Sequence, residues 1–147
     1  MGLKFSKSRG TLYAMKKYKI VYDLNEPDPP RPHELHAARI VAEYFHSDLV
    51  FIRKSNNSTP DLKVKKTKQV WELKSPLGNG KRTMANNIRA ASHQSTNIIL
   101  DLSRCKMNND RAISRIRSFL EGSDAHISKL LVIDKKGNTL DFSNKNR

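Results

Sequence analysis

The chain has 147 residues, a length typical of one domain with a single modest core. It carries 28 lysines and arginines against 14 aspartates and glutamates, and this formal charge of +14 exceeds what solubility requires. The single cysteine excludes an internal disulfide, and no apolar run is long enough for a membrane span. The charge predicts a polyanionic partner. Nucleic acid is favoured over an acidic membrane surface, because no basic amphipathic helix with an aromatic face is predicted.

The first 32 residues are predicted to form a basic N-terminal arm followed by a proline-rich spacer. Residues 1–22 contain six lysines or arginines and no acid, and LYAMKKYKIVY at their end is compatible with either a strand or a helix. The sequence EPDPPRP at 26–32 cannot be helical and is expected to run extended. The folded domain is therefore predicted to occupy residues 33–147.

The domain is predicted to begin with a helix from His33 to His46, because apolar residues recur there at helical spacing directly after the prolines. Glu34 leads the apolar stripe, so its carboxylate is expected to point along the buried side of the helix. The sequence LVFIR predicts a strand. LKVK and QVWELK predict the two strands of a hairpin that turns at Lys66 and Thr67.

The second half of the chain alternates between helical and strand-like patterns. A glycine-bearing loop, GNGKR, precedes one helix, and Asn108 or Asn109 is expected to cap a later one. NIILDL and KLLVID are short apolar runs that predict buried strands, and the second leads through KKGN into a last strand, TLDF. This order of elements predicts an α/β (α+β) fold with a mixed β-sheet flanked by helices.

The hairpin is predicted to bring two carboxylates together. A turn at Lys66 and Thr67 sets Asp61 opposite Glu72, with their Cβ atoms about 4.5 to 5.5 Å apart. A shift of one residue would set Asp61 opposite Trp71 instead, because the turn has no glycine to hold its register. Two carboxylates at about 4 Å repel by roughly 4 kcal/mol at an effective dielectric constant near 20. A positive group is therefore expected beside them.

A divalent cation suits this position, because hard ions such as Mg²⁺ bind carboxylate oxygens and water and leave places for substrate phosphate. Glu34 is a candidate third ligand beside Asp61 and Glu72. Lys74 lies two residues after Glu72 on the same strand face, where it would orient or help to deprotonate an attacking water. Its charge would also stabilise the transition state of phosphodiester cleavage. The residues therefore predict a metal-dependent nuclease.

The pattern PD, ten residues and ELK, with a glutamate on the preceding helix, resembles the signature of the PD-(D/E)xK nuclease superfamily. Pro60, Asp61, Glu72 and Lys74 occupy the signature positions. The resemblance implies a restriction-endonuclease-like core with Glu34, Asp61, Glu72 and Lys74 as the catalytic set. It also implies that the three acids hold a divalent metal ion, Mg²⁺, Mn²⁺ or Zn²⁺.

Longer stretches narrow the resemblance. PHELHAARIVAEYF, TPDLKVKKTKQVWELKSPLGNGKRT, NNIRAASHQSTNIILDLSR and DRAISRIR are similar, in this order, to the C-terminal tRNase domain of contact-dependent growth inhibition (CdiA) toxins. The resemblance covers about residues 33–117. It implies a ribonuclease that cleaves tRNA in the bacterial cytoplasm, is delivered as part of a larger toxin and is blocked by a cognate immunity protein. An acidic immunity protein would match the basic charge of the chain.

Further residues are predicted to contact nucleic acid. Some lie on segments similar to the substrate face of that family, and others are basic residues that follow the ELKSP strand, near the expected path of a phosphate backbone. These residues are Lys81, Arg82, Thr83, Asn87, Arg89, Gln94 and Arg104.

Two other functions stay open from the residues. A DNA endonuclease of the same superfamily would use the same catalytic groups, and a non-catalytic nucleic-acid-binding protein would explain the charge but not the acids. A zinc site at His33 and His36 is not favoured, because HELH does not have the required four-residue spacing and no neighbouring His or Cys completes a tetrahedron. Trp71 is expected to lie in the core.

Overall fold

The computed structural model describes residues 18–53 and 59–143, so that the first 17 residues of the predicted arm lie outside the described residues. Within these ranges no helix is long and apolar enough to cross a membrane. The described residues form three helices and seven strands: β1 (Ile20–Val21), α1 (Pro32–Phe45), β2 (Leu49–Phe51), β3 (Leu62–Val64), β4 (Val70–Lys74), α2 (Thr83–Ser92), β5 (Asn97–Asp101), α3 (Asn109–Gly122), β6 (Lys129–Ile133) and β7 (Thr139–Asp141).

The seven strands form one mixed sheet whose spatial order is their order along the chain. β1 and β2 are parallel, as are β4, β5 and β6, whereas β2, β3 and β4 are antiparallel neighbours and β7 runs antiparallel to β6. Part of the predicted arm belongs to this sheet, because Ile20 pairs with Leu49 and Val21 pairs with Val50. The predicted fold class, a mixed sheet flanked by helices, is confirmed.

Two apolar clusters cover the two faces of the sheet. α1 buries Ala38 and Val41 against one face, which includes Trp71 and Leu73 of β4. α2 and α3 pack on the other face, which includes alternate residues of β5 and β6 such as Leu100. Side chains alternate between faces along a strand. Glu72, which lies between Trp71 and Leu73, therefore points toward the face that α2 and α3 cover.

Local sequence signals predicted the elements around the site correctly. Asn108 is the N-cap of α3, and its Oδ1 accepts a hydrogen bond from the Arg111 N–H at 2.9 Å. The hairpin has the register predicted for a turn at Lys66 and Thr67, since Leu62 pairs with Trp71 and the next residues continue the ladder. The strand that carries Glu72 and Lys74 therefore pairs with β3 in the predicted register.

The carboxylate of Asp134 stabilises the turn between β6 and β7 by accepting backbone hydrogen bonds. It accepts hydrogen bonds from the N–H groups of Lys136 at 2.8 Å and Asn138 at 2.9 Å. Burial raises the pKa of Asp134, but these backbone hydrogen bonds, with smaller contributions from the side chains of the same two residues, hold it below its ordinary value. A depressed pKa in the folded state stabilises the fold above the unfolded-state pKa, and this stabilisation is lost as the pH falls through the folded-state pKa.

Replacing Asp134 with Asn is expected to remove this pH-dependent contribution. The variant should lose about 1 kcal/mol of unfolding free energy at neutral pH, because it replaces a carboxylate that accepts two backbone hydrogen bonds with a neutral amide. The difference from the parent protein should shrink as the pH falls through the lowered pKa of Asp134, because the parent carboxylate is then also protonated. Urea unfolding from pH 3 to pH 7 measures this difference, with the exposed Asp124→Asn as the matched control. A difference that does not change with pH would contradict the prediction.

Candidate active site

The start of the hairpin brings Asp61 against the strand that carries Glu72. The Asp61 N–H donates to the Trp71 carbonyl at 3.1 Å, and the Leu73 N–H donates to Asp61 Oδ2 at 2.9 Å. The carboxylate of Asp61 therefore lies within hydrogen-bonding distance of the peptide that joins Glu72 to Leu73. The predicted approach of Asp61 to this part of β4 is present, and a hydrogen bond from the backbone holds the acid in place.

Glu72 and Lys74 form an ion pair on β4. Lys74 Nζ lies 3.6 Å from Glu72 Oε2, and only 3% of the glutamate side chain is exposed, against 29% of the lysine side chain. A carboxylate in a buried position is stabilised by a positive group beside it. The pair therefore places a nearly buried acid and a partly accessible ammonium group side by side at the end of a central strand.

Glu34 reaches the same region from α1. Its Oε1 accepts a hydrogen bond from the Arg31 N–H at 2.8 Å, which caps the first turn of the helix. Glu34 and Asp61 line one cavity of about 330 Å³, together with Phe51, Ile52 and Arg53 at the end of β2. The structure thus brings Glu34 to the cavity beside Asp61 while its carboxylate is bound to its own helix start.

Glu34, Asp61 and Glu72 all lie in the described part of the chain but are not grouped as the predicted three-ligand metal site. In residues 18–53 and 59–143, no three His, Cys, Asp or Glu side chains are grouped so that they could hold a metal ion. Mg²⁺ commonly binds through one or two carboxylates and completes its shell with water and substrate phosphate. Asp61 and Glu72 fit that pattern. Glu34 would join them only by exchanging its hydrogen bond to Arg31.

Several predicted nucleic-acid contacts lie at the carboxyl edge of the sheet, where β4, β5 and β6 end. Lys81 and Arg82 are exposed directly before α2, which starts near the end of β4. Thr83 is the first residue of α2, and its Oγ1 accepts a hydrogen bond from the Gly80 N–H at 3.0 Å. A Cβ atom on Gly78 would lie 2.9 Å from that oxygen. The glycine therefore allows the loop to pass close to the helix.

Arg104 reaches this edge from the loop after β5. Its Nη2 lies 3.1 Å from Nε2 of His33, which is in the first turn of α1. The contact joins the start of α1 to the carboxyl edge.

The remaining predicted contacts lie farther along α2 or directly after it. Asn87 Nδ2 donates to the Thr83 carbonyl at 2.9 Å within the helix. Arg89 lies in the last turn, and its guanidinium stacks over the ring of Phe119 at 5.1 Å from the ring centre. Gln94 follows the helix. Because α2 runs back from the carboxyl edge, Arg89 and Gln94 lie toward the opposite end of the sheet, away from Lys74.

Trp71 packs in the core, as predicted. Its ring centre lies 5.3 Å from that of Phe45, and only 2% of the residue is exposed. A side chain this deeply buried cannot stack on a base, so the tryptophan supports the strand that carries the acids.

Most of the fold is similar to that of one chain in a solved complex. A structure described as a CdiA-CT/CdiI toxin and immunity complex from Burkholderia pseudomallei aligns with a TM-score of 0.56. The alignment covers 85% of this chain and 98% of that chain at 19% sequence identity, and at that identity the likeness shows the fold alone. The sequence matches none of the curated proteins with which it was compared.

The sequence itself shows the family. The family model of the contact-dependent growth inhibition CdiA C-terminal domain matches residues 58–139, which is more than half of the chain. The chain therefore belongs to the family of CdiA C-terminal domains, which are toxins of contact-dependent growth inhibition. The match includes Asp61, Glu72 and Lys74 and begins after α1, so that Glu34 lies outside it.

Proposed function

We propose that the chain is a metal-dependent ribonuclease with a PD-(D/E)xK type of active site, formed by Asp61, Glu72 and Lys74 with Glu34 nearby. Residues 33–147 would be the nuclease domain, with β1 added by the segment before it. The arrangement that carries the proposal is the hydrogen bond from the Leu73 N–H to Asp61, next to the ion pair of Glu72 and Lys74.

Each residue has a chemical role in this proposal. Asp61 and Glu72 would hold a divalent cation, whose charge would offset that of the phosphate and lower the pKa of a water molecule. Lys74 orients the attacking water and meets the negative charge that develops on the phosphate. The backbone hydrogen bond on Asp61 fixes one carboxylate, so that little rearrangement is needed when the substrate arrives.

The substrate we propose is RNA, and tRNA in particular. The charge of +14 favours a polyanion, and the family places this chain among toxins of contact-dependent growth inhibition. Lys81, Arg82 and Arg104 lie in the loops that follow the parallel strands β4 and β5, where they would bind backbone phosphates. DNA cleavage is the second candidate, because none of these groups recognises the 2′-hydroxyl of RNA.

A protein inhibitor and a cytoplasmic site of action belong to the same proposal. The structurally similar chain comes from a structure described as a toxin and immunity complex. We therefore propose that a small acidic immunity protein binds this chain and covers its basic surface. The toxin would act in the cytoplasm of the target bacterium after delivery as part of a larger protein.

Incubation of the purified protein with total tRNA, ribosomal RNA and supercoiled plasmid DNA tests the proposal. Cleavage of tRNA is expected with Mg²⁺, Mn²⁺ or Zn²⁺ and should stop when EDTA is added. Cleavage of plasmid DNA alone would support the DNA endonuclease. Binding without cleavage under every metal condition would overturn the catalytic proposal and favour a non-catalytic binding protein.

A further inference from the structure

A strap of residues 22–31 forms one wall of the cavity that contains Asp61 and Glu34. It places Asp23, Glu26 and Asp28 on the cavity lining, so that five of the chain's 14 acids line this cavity. The other 9 acids are spread over a protein with 28 basic residues. Such a concentration of negative charge opposes the binding of RNA directly beside the proposed active site.

Arg53 holds the strap in place. Its Nε donates to Glu26 Oε2 at 2.8 Å, and its Nη2 lies 3.1 Å from Asp23 Oδ2. Nε and Nη2 are the two donors on one side of the guanidinium, and this side binds two oxygens of a phosphate in a bidentate manner. Two carboxylate oxygens from different residues therefore occupy the positions that two phosphate oxygens would take.

Arg53 is also close to the proposed catalytic acid and accessible from solvent. The N–H of the preceding residue, Ile52, donates to the Asp61 carbonyl at 2.8 Å, so the arginine directly follows a residue that is bonded to Asp61. The Arg53 side chain is 64% exposed. A phosphate group near Asp61 would thus meet a guanidinium that is reachable once the strap carboxylates move away.

Stability accounts for only part of this arrangement. Ion pairs at exposed positions contribute little, with a median of about 0 to 1 kcal/mol. The side chains of Asp23 and Arg53 are 40% and 64% exposed, so this pair is screened by water, whereas the side chain of Glu26 is 17% exposed. Two acids that imitate the phosphate ligand of Arg53 would explain why negative charge lies beside the proposed active site.

We infer that Arg53 is a phosphate-binding residue beside the proposed active site, and that Asp23 and Glu26 occupy its donors until an RNA phosphate displaces them. The inference rests on the proposed function, since it assigns the ligand of Arg53 to the RNA substrate. It adds a contact that the sequence does not indicate and a competition that lowers the affinity of the resting protein for RNA.

The double substitution Asp23→Asn and Glu26→Gln tests the inference. All proteins carry Glu72→Gln to prevent cleavage, and binding of a fluorescently labelled single-stranded RNA oligonucleotide is measured in EDTA by anisotropy over a range of salt concentrations. The double variant is expected to bind about three- to tenfold more tightly at 0.1 M salt, because one charge-assisted phosphate contact becomes available. The slope of log Kd against log salt should steepen by about 0.7.

Two further variants separate the proposed contact from a general change of charge. Glu121→Gln with Asp124→Asn changes the net charge by the same +2. Both positions are exposed: Glu121 lies at the end of α3 and Asp124 follows it, far from the strap in the sequence. This control should strengthen binding much less. Adding Arg53→Gln to the strap variant should return both the affinity and the salt slope to the values of the parent protein.

The outcomes decide the inference. A gain that disappears with Arg53→Gln and is absent from the charge control supports it. An equal gain in the charge control, a gain that survives Arg53→Gln, or no RNA binding by the strap variant overturns it. The proposed catalysis is judged by a separate measurement, the metal-dependent cleavage of tRNA by the protein with Glu72 intact, so that either idea can fail alone.

Discussion

Replacing Glu72 with glutamine is expected to lower the rate of RNA cleavage by about a thousandfold or more while RNA binding persists. Glutamine has nearly the same shape as glutamate but cannot supply the negative charge that a divalent cation requires. Loss of groups that only support a metal ligand already costs roughly 10- to 100-fold in activity, so loss of the ligand itself should cost more. The rate is measured by gel electrophoresis of labelled tRNA with saturating Mg²⁺.

The position of Glu72 makes this substitution informative. The residue is 2% exposed on a central strand, with Lys74 beside it. Replacing Glu72 with alanine would leave a cavity, so that a loss of activity could result from misfolding. Glutamine preserves the side-chain volume. Far-ultraviolet circular dichroism and thermal unfolding should therefore show a folded variant.

A matched control and a contrary result define the test. Glu121→Gln makes the same chemical change at an exposed position at the end of α3 and should leave the cleavage rate within a factor of two. If Glu72→Gln cleaves tRNA as fast as the parent protein, Glu72 does not hold a required metal ion. The catalytic assignment would then have to be abandoned, although the fold and the family would stand.

Secondary-structure elements that depend on residues close together in the sequence were predictable. The helix from Pro32 to Phe45 follows a local apolar period, and Asn108 caps α3 through an N–H three residues away. The sequence favoured the observed hairpin register but left a shift of one residue open, because the turn has no glycine. A shift by one residue would have exposed Trp71 and Leu62, which are both buried.

Contacts between distant segments were not predictable in this way. Asp23 and Glu26 precede α1 in the chain, whereas Arg53 follows β2. The local periodicity of the sequence does not indicate that these residues form ion pairs. The sequence predicted that Glu34 points along the buried side of α1, but it did not predict that the carboxylate accepts a hydrogen bond from the start of the helix. The sequence places the residue in the first turn of α1, but the free N–H of Arg31 competes for its carboxylate, and the structure records that bond.

The position of the site on the sheet likewise depends on long-range packing. Cys105 Sγ lies 3.2 Å from the Gly78 carbonyl, and the Lys106 N–H donates to the Leu77 carbonyl at 3.1 Å. These contacts join the loop after β4 to the loop after β5. The sequence predicted both loops separately, but only the parallel pairing of β4 with β5 brings their basic residues to one edge.

Replacing Leu100 with alanine is expected to destabilise the fold by about 2 to 5 kcal/mol, because it removes buried methyl groups and leaves a cavity. Leu100 is completely buried on β5 and belongs to the cluster that α2 and α3 cover. In register it pairs with Lys74 on one side and Val132 on the other, so the loss affects the centre of the parallel part of the sheet. Domains of this kind have about 5 to 15 kcal/mol of stability in total.

Thermal and urea unfolding measure this effect, and Leu24→Ala is the matched control. Leu24 is 79% exposed, so the same chemical change there should alter the unfolding free energy by less than about 0.5 kcal/mol. For Leu100→Ala the melting temperature should fall by roughly 4 to 20 °C. Equal effects of the two substitutions would mean that β5 does not lie in the core, and the parallel pairing that brings Lys74 and Arg104 to one edge would then be wrong.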